Sequence, residues 1–267
     1  MSTVALSRVS VQRGAIEAVH ELSLEVPRGS WVALIGPNGA GKSTALTAIA
    51  GLIAYSGSIA IGGDDLTRLA RGERARRVAL VPQLPVTPPL VTVADYVLLG
   101  RTPHLAAFRR EGPADLAIVA DVLDRLDLAG LASRHLTTLS GGERQRAVLA
   151  RSIAQGAGVL LLDEPTSALD VGHQQGVLDL VARMRDECGL TVISAMHDLT
   201  LAGLYADRLV LLASGRTIAS GLPAEVLTET TIAEHYGATV RIVSSADGST
   251  AVIPTRSARA SEISRGT

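Results

Sequence analysis

Apolar and polar positions alternate from Val4 to Val11 and again from Ala18 to Val26, which predicts two half-buried strands. After Pro27-Arg28-Gly29 the pattern changes to a continuous apolar run, Trp31 to Ile35, of buried-strand length. A glycine-rich turn, Gly36 to Gly41, precedes a stretch of helical composition, Ser43 to Leu52, and strand pattern returns at Gly57 to Ile61 and Arg77 to Val81. From Val91 to Ala154 the signal is helical, and the spacing of Leu116, Val119, Ala120, Leu123 and Leu126 predicts one buried helix face. Three short apolar strands follow: Val159 to Leu162, Thr191 to Ser194 and Arg208 to Ala213. The helix-length segment Gly172 to Cys188 separates the first two. Such alternation predicts an α/β domain whose parallel strands are joined by crossovers. Residues 1–243 are expected to form that domain, with a helical part over about 84–157. Residues 244–267, rich in Ser, Arg, Thr and Ala, are expected to form a mobile tail.

Composition narrows the function classes. The 267 residues are 47% apolar, enough for a large core. With 25 basic and 26 acidic residues the net charge is −1, so no global field draws nucleic acid or anionic lipid, and 2% aromatics leave little for base stacking. Nucleic acid is therefore not an expected partner. The strongest apolar run, Val159 to Leu162, stops at Asp163, far short of the roughly 20 residues that a membrane span needs. Met1 to Gln12 alternates like a strand, with Arg8 inside it, so no secretion signal is expected. The single cysteine, Cys188, permits no internal disulfide and fits a reducing compartment.

Gly36-Pro37-Asn38-Gly39-Ala40-Gly41-Lys42-Ser43, followed by Thr44, satisfies the phosphate-loop pattern G-x4-G-K-S/T between an apolar strand and a helix. Glycines let backbone N–H groups converge on phosphate oxygens, and the helix N-terminus adds a favourable dipole. Lys42, the chain's only lysine, is expected to reach the terminal phosphates of ATP, and the Ser43 hydroxyl to ligate Mg²⁺. Val159 to Leu162 ends in Asp163-Glu164, expected to hold Mg²⁺ and to polarise the attacking water, respectively. A second hydroxyl and glycine cluster, Ser140-Gly141-Gly142, opens another helix. It reads either as a capping turn or as a second phosphate-binding element. One ATP has no need of two cradles in one subunit, so Ser140, Gly141 and Gly142 are assigned to a nucleotide held by a second copy.

In order and spacing, the phosphate loop, Leu139-Ser140-Gly141-Gly142-Glu143, Leu160-Leu161-Leu162-Asp163-Glu164-Pro165 and His197 resemble the motifs of ABC transporter ATPases, over about residues 3–240. The resemblance implies a P-loop NTPase fold of ABC type, with an N-terminal antiparallel β subdomain, a RecA-like core and a helical subdomain. It implies that Gln83 senses Mg²⁺ and faces a permease. It also implies that Ser167-Ala168-Leu169-Asp170 crosses a dimer seam and that His197 contacts the γ phosphate. The implied assembly is a homodimer on the cytoplasmic face of the membrane, beneath integral permease subunits fed by an extracytoplasmic substrate-binding protein.

Residues 97–104 (Val-Leu-Leu-Gly-Arg-Thr-Pro-His), 169–174 and 196–199 resemble the ATPases of importers for iron–siderophore complexes, haem and cobalamin, and iron-chelate import is the first expectation. An ABC ATPase for another cargo, or a soluble ABC ATPase outside transport, is the alternative. One departure stands out: the family places an aromatic before the phosphate loop to stack on adenine, and Arg13 occupies that place here.

Overall fold

A computed structural model describes residues 2–105, 110–167, 169–244 and 250–256. Strands β1 (Ser2–Arg13) and β2 (Ile16–Pro27) pair antiparallel, and β1 pairs on its other edge with β4 (Ser56–Ile61), itself followed by the short β5 (Asp64–Asp65). The polar-to-apolar alternation that predicted β1 and β2 is that of a sheet covered on one face. In β2, Val19, Leu22, Leu24 and Val26 are buried and the residues between them are not.

The second sheet has six strands in the order β10-β9-β3-β8-β7-β6. They are β10 (Arg216–Gly221), β9 (Arg208–Ala213), β3 (Trp31–Ile35), β8 (Thr191–Ala195), β7 (Val159–Asp163) and β6 (Val78–Val81). All neighbours are parallel except the β10–β9 edge pair. Both faces of this sheet are covered, which is why β3 and β7 read as unbroken apolar runs. Trp31, Ala33 and Ile35 enter one core while Val32 and Leu34 enter the other; Leu160 and Leu162 divide from Val159 and Leu161 in the same way. One core contains α1 (Lys42–Ile49) and the antiparallel sheet; the other contains the helical segment and α6 (Val171–Cys188).

Helix α1 stops at Ile49, short of the expected Leu52, because Gly51 (φ +67°) allows a left-handed turn in which Leu52 N–H bonds Thr47 O and Gly51 N–H bonds Ala48 O. Arg77 ends α2 (Arg71–Arg77) instead of opening β6. Helices α3 (Val93–Leu98), α4 (Pro113–Arg125) and α5 (Gly141–Ala154) form the helical segment. The buried face of α4 is Val119, Val122, Leu123, then Leu126; Leu116 and Ala120, expected to be buried, are exposed. The first turn of α4 lies on the rim, so the core stripe starts one turn later and swings toward Val122.

The motif at residues 97–104 is a structural knot. Arg101, buried, bonds Asp115 Oδ1 (3.0 Å) and Ala154 O (2.8 Å), and His104 Nε2 meets Gln155 O (2.8 Å). A side chain at Gly100 would strike Arg151 O at 2.2 Å. These residues hold α3, α4 and α5 together, and none of them lines the cleft above the phosphate loop.

After β8, α7 (Leu199–Tyr205) leads to β9 and β10, then α8 (Pro223–Val226) and α9 (Glu229–Tyr236). The expected tail from 244 is corrected in part. Strand β11 (Val240–Ser244) pairs with β12 (Thr250–Pro254), and Thr200 on α7 accepts from Val252 N–H (3.0 Å) and donates to Val252 O (3.2 Å). Serine-rich composition concealed a hairpin whose inward residues, Val240 and Thr250, are buried. Residues 245–249 and 257–267 of that expectation lie outside the described residues. Among the described residues no helix is long and apolar enough to cross a membrane.

Candidate active site

Four adjacent parallel strands, β3, β8, β7 and β6, end on one sheet edge, and each is followed by a residue singled out above: the phosphate loop, His197, Asp163-Glu164 and Gln83. Ligands of open α/β sheets bind at this carboxyl edge. Gly36 (φ +147°) turns the chain so tightly that a Cβ would lie 2.1 Å from Leu212 O. Gly41 starts α1 with no side chain to cap it, so the first N–H groups of the helix face outward unpaired, as an anion site requires.

Lys42 is buried and its Nζ donates to Gly36 O (2.7 Å) and Pro37 O (3.1 Å). Burial pulls its pKa below the ordinary 10.5, against the pull of Glu164 and Asp163 in the other direction. Ser43 Oγ donates to Asp163 Oδ1 (2.7 Å). Burial also pushes the Asp163 carboxyl above its usual 3.8, although the Ser43 hydroxyl partly restores it. A folded value above the unfolded one means the native state holds the proton more tightly between those two pH values, so stability falls as pH rises through that interval. Asp163→Asn, without nucleotide, is therefore expected to melt above the parent protein at neutral pH, with the gap closing as pH is lowered toward 3.8. Thermal melts across pH check this, and a gap independent of pH would remove the argument.

Glu164 follows β7 with φ +50°, rare for a non-glycine residue, and its N–H donates to Ala195 O (3.1 Å) at the end of β8. Its carboxylate is held at both oxygens: Gln83 Nε2 donates to Oε2 (2.5 Å) and His197 Nε2 meets Oε1. Gln83, expected beside the cation ligands, thus bonds the expected base instead. A cleft of about 310 Å³ opens above the loop, lined by Arg13, Ile16 and Ala18 on one side, residues 38–44 beneath, and Glu164. Arg13 thus lies on the wall of the cleft that the phosphate loop floors.

No residue of 139–143 lines that cleft. Ser140 caps α5: its Oγ accepts from Glu143 N–H (3.3 Å) while Glu143 Oε2 accepts from Ser140 N–H (2.7 Å), which holds the Glu143 carboxyl below its usual range. Asp170 likewise caps α6, accepting from His173 N–H (3.0 Å). Both residues thus have the capping role, which leaves the Ser140 hydroxyl proton and the N–H groups of Gly141 and Gly142 without an intrahelical acceptor. Of the segment Ser167 to Asp170, Ala168 lies outside the described residues.

Several site residues were not legible in the sequence. Ile16, 71% exposed, faces Arg13 across the β1–β2 turn; its signal was an isoleucine where the alternation has a solvent position. Gln145 donates to Pro165 O (2.8 Å), and Gln174 to Thr166 O (3.2 Å) and Leu169 O (3.0 Å), fixing the loop before α6. Contacts of side-chain amides with backbone carbonyls leave no periodic trace.

Residues 19–167, more than half of the chain, match the ABC transporter family profile. The chain belongs to this ABC transporter family. The resemblance read from its motifs is borne out, and so is the α/β fold. It is 40% identical over 254 residues to the cobalamin import ATP-binding protein of Halobacterium salinarum, covering 94% of this chain and 63% of that protein, somewhat under two thirds of its length. It is 39% identical over 259 residues to the hemin import ATP-binding protein of Rhodococcus jostii, covering 96% of this chain and 88% of that one. A solved metal-chelate type ABC transporter in an inward-facing conformation superposes with a TM-score of 0.82 at 27% identity, covering 96% of this chain and 98% of the other. The family match begins after Arg13 and stops before Asp170 and His197.

Proposed function

We propose that this chain is the ATP-hydrolysing subunit of an ABC importer, working as a homodimer that holds each ATP between the Lys42 face of one copy and the Ser140 face of the other. The observation that carries this reading is Gly141. It has no positive φ, and a Cβ there would meet nothing within 4 Å, so among the described residues nothing requires glycine at position 141. Glycine at that exposed position serves an approach from outside, and the adjacent hydroxyl and N–H groups suit a phosphate. With the Lys42 cleft lined by none of these residues, the nucleotide that they contact belongs to another copy.

Within the site, loop N–H groups and Lys42 hold the phosphates; Lys42 leaves the Gly36 and Pro37 carbonyls as phosphate oxygens replace them. The donor set fits Mg²⁺: a hydroxyl and a carboxylate oxygen 2.7 Å apart, with burial making the carboxylate favour a cation partner. Ser43 and Asp163 would hold the ion, which offsets phosphate charge. Glu164 accepts the proton of the attacking water. Both of its oxygens are engaged beforehand, so His197 yields its contact with Oε1 as the water takes its place and is then free to turn to the γ phosphate, while Gln83 keeps Oε2.

Arg13 covers the adenine with its guanidinium plane, with Ile16 opposite. Arg13→Ala is expected to weaken ATP binding about tenfold, in line with the loss of a stacked cation of this kind. Competition titration with GTP reads base preference, and unchanged ATP affinity with strict ATP preference would refute this role.

The cargo is inferred from likeness alone. The relatives named for cobalamin and hemin import and the metal-chelate type transporter support an iron chelate, haem or cobalamin. Permease subunits choose that cargo, receiving it from an extracytoplasmic binding protein. Leu84, Val86 and Leu90, just beyond Gln83, are 85%, 80% and 85% exposed and form an apolar surface suited to a permease segment on the cytoplasmic face of the membrane. Copurification from membranes tests this. Leu84→Glu with Leu90→Glu should release the chain from its permease, and retention at full yield would contradict the docking assignment.

A further inference from the structure

A cavity of about 520 Å³ lies between α5 and α6, lined among others by Gly142, Arg146, His173 and Asp179. His173, on the first turn of α6, sets its ring directly on Gly142. A Cβ at Gly142 would fall 2.4 Å from His173 Cδ2 and 3.1 Å from Nε2. Gly142 has no positive φ, so what crowds an added side chain there is the imidazole and not the backbone. The same ring meets Asp170 Oδ1 through Nδ1 at 2.7 Å, and that oxygen also accepts the His173 N–H. The next residue, Gln174, fastens Thr166 and Leu169. One side chain thus touches the Ser140–Gly142 turn on one side and the Asp170 loop on the other, although Asp170 lies 28 positions beyond Gly142 in the sequence.

We propose that His173 is a positioning residue that locks the Asp170 loop to the Ser140–Gly142 turn, so that the two elements meet the partner copy's nucleotide as one body. The proposal rests on the two-copy reading above and adds to it a residue that lies outside the Lys42 cleft. Asp170 and His173 are both largely exposed in the single subunit, so their contact adds little to its stability. Its effect is to fix the relative placement of two surfaces that must fit together at the same instant.

The test uses the full chain with Glu164→Gln, so that hydrolysis does not undo the complex, and follows association with MgATP by sedimentation as a function of protein concentration. His173→Ala in that background is expected to raise the midpoint concentration for association about tenfold. MgATP affinity at dilutions where the protein is monomeric should stay within about twofold, since that site is built from the Lys42 side. The melting temperature of the nucleotide-free protein should also be unchanged. His173→Phe, which keeps a ring on Gly142 and the backbone bond to Asp170 but loses the ring bond to it, should give an intermediate midpoint. An unchanged midpoint in His173→Ala overturns the proposal. A midpoint that shifts only in step with melting temperature and monomer affinity also overturns it, by assigning the residue to general stability. If Glu164→Gln alone never associates, the two-copy reading fails and the proposal with it, a failure distinguishable from the others because it precedes any change at His173.

Discussion

Glu164→Gln should lower ATP turnover by about 10²–10⁴-fold, the range for removing a general base, while ATP still binds. The substitution keeps the shape of the side chain: its amide oxygen can still accept from Gln83, its NH2 group then meets His197 Nε2 as a donor, and the left-handed turn after β7 is undisturbed. What is lost is the ability to take a proton from water. With hydrolysis blocked, the triphosphate persists and the two copies stay joined, because a ligand that touches both faces favours only the state in which they meet. Steady-state phosphate release together with sedimentation in MgATP measures both effects. Hydrolysis at the parent rate would take the role of base away from Glu164.

Lys42→Met should weaken nucleotide binding about tenfold to a hundredfold, the consequence of losing a charge-assisted bond of roughly 1.5–3 kcal/mol. Its effect on the free protein has the opposite sign. Because burial holds the lysine below its ordinary 10.5, the unfolded chain binds that proton more tightly, and at neutral pH the buried charge opposes folding. The nucleotide-free variant is therefore expected to melt no lower than the parent, even though two carbonyls lose a donor. Nucleotide titration and melting curves on one preparation separate the two effects. A variant that binds poorly because it has partly unfolded would show a depressed melting temperature, contrary to this expectation.

The sheet edge was legible in the sequence because its parts obey strong local rules. The strand Trp31–Ile35, the loop of glycines and the Asp163-Glu164 end are each fixed by period, turn chemistry or charge within a few residues. What could not be read was which side chain answers which. That Gln83 bonds Glu164 depends on β6 lying beside β7, a pairing decided by the whole sheet. The face of α4 was read one turn too long because Leu116, an apolar residue on the rim, fits the helical period as well as the buried Val119, Leu123 and Leu126 do. The C-terminal hairpin was missed because its five-residue strands are too short for their alternation to stand out against a serine-rich surround. Ser140 and Asp170 show a different limit. Capping and reaching a partner are compatible uses of one oxygen, and the capping reading does not displace the functional one.

The proposed joint grip on one nucleotide by two copies is tested most directly through a cross-link. Cys188, the only cysteine and exposed, is first replaced by serine, so that any new disulfide reports on chosen positions. Asn38→Cys and Ser140→Cys are then introduced together in the Glu164→Gln chain. Under mild oxidation with MgATP, covalent dimers should accumulate; without nucleotide they should not. A cross-link formed only within single chains, or none at any protein concentration while MgATP is bound, would contradict the account.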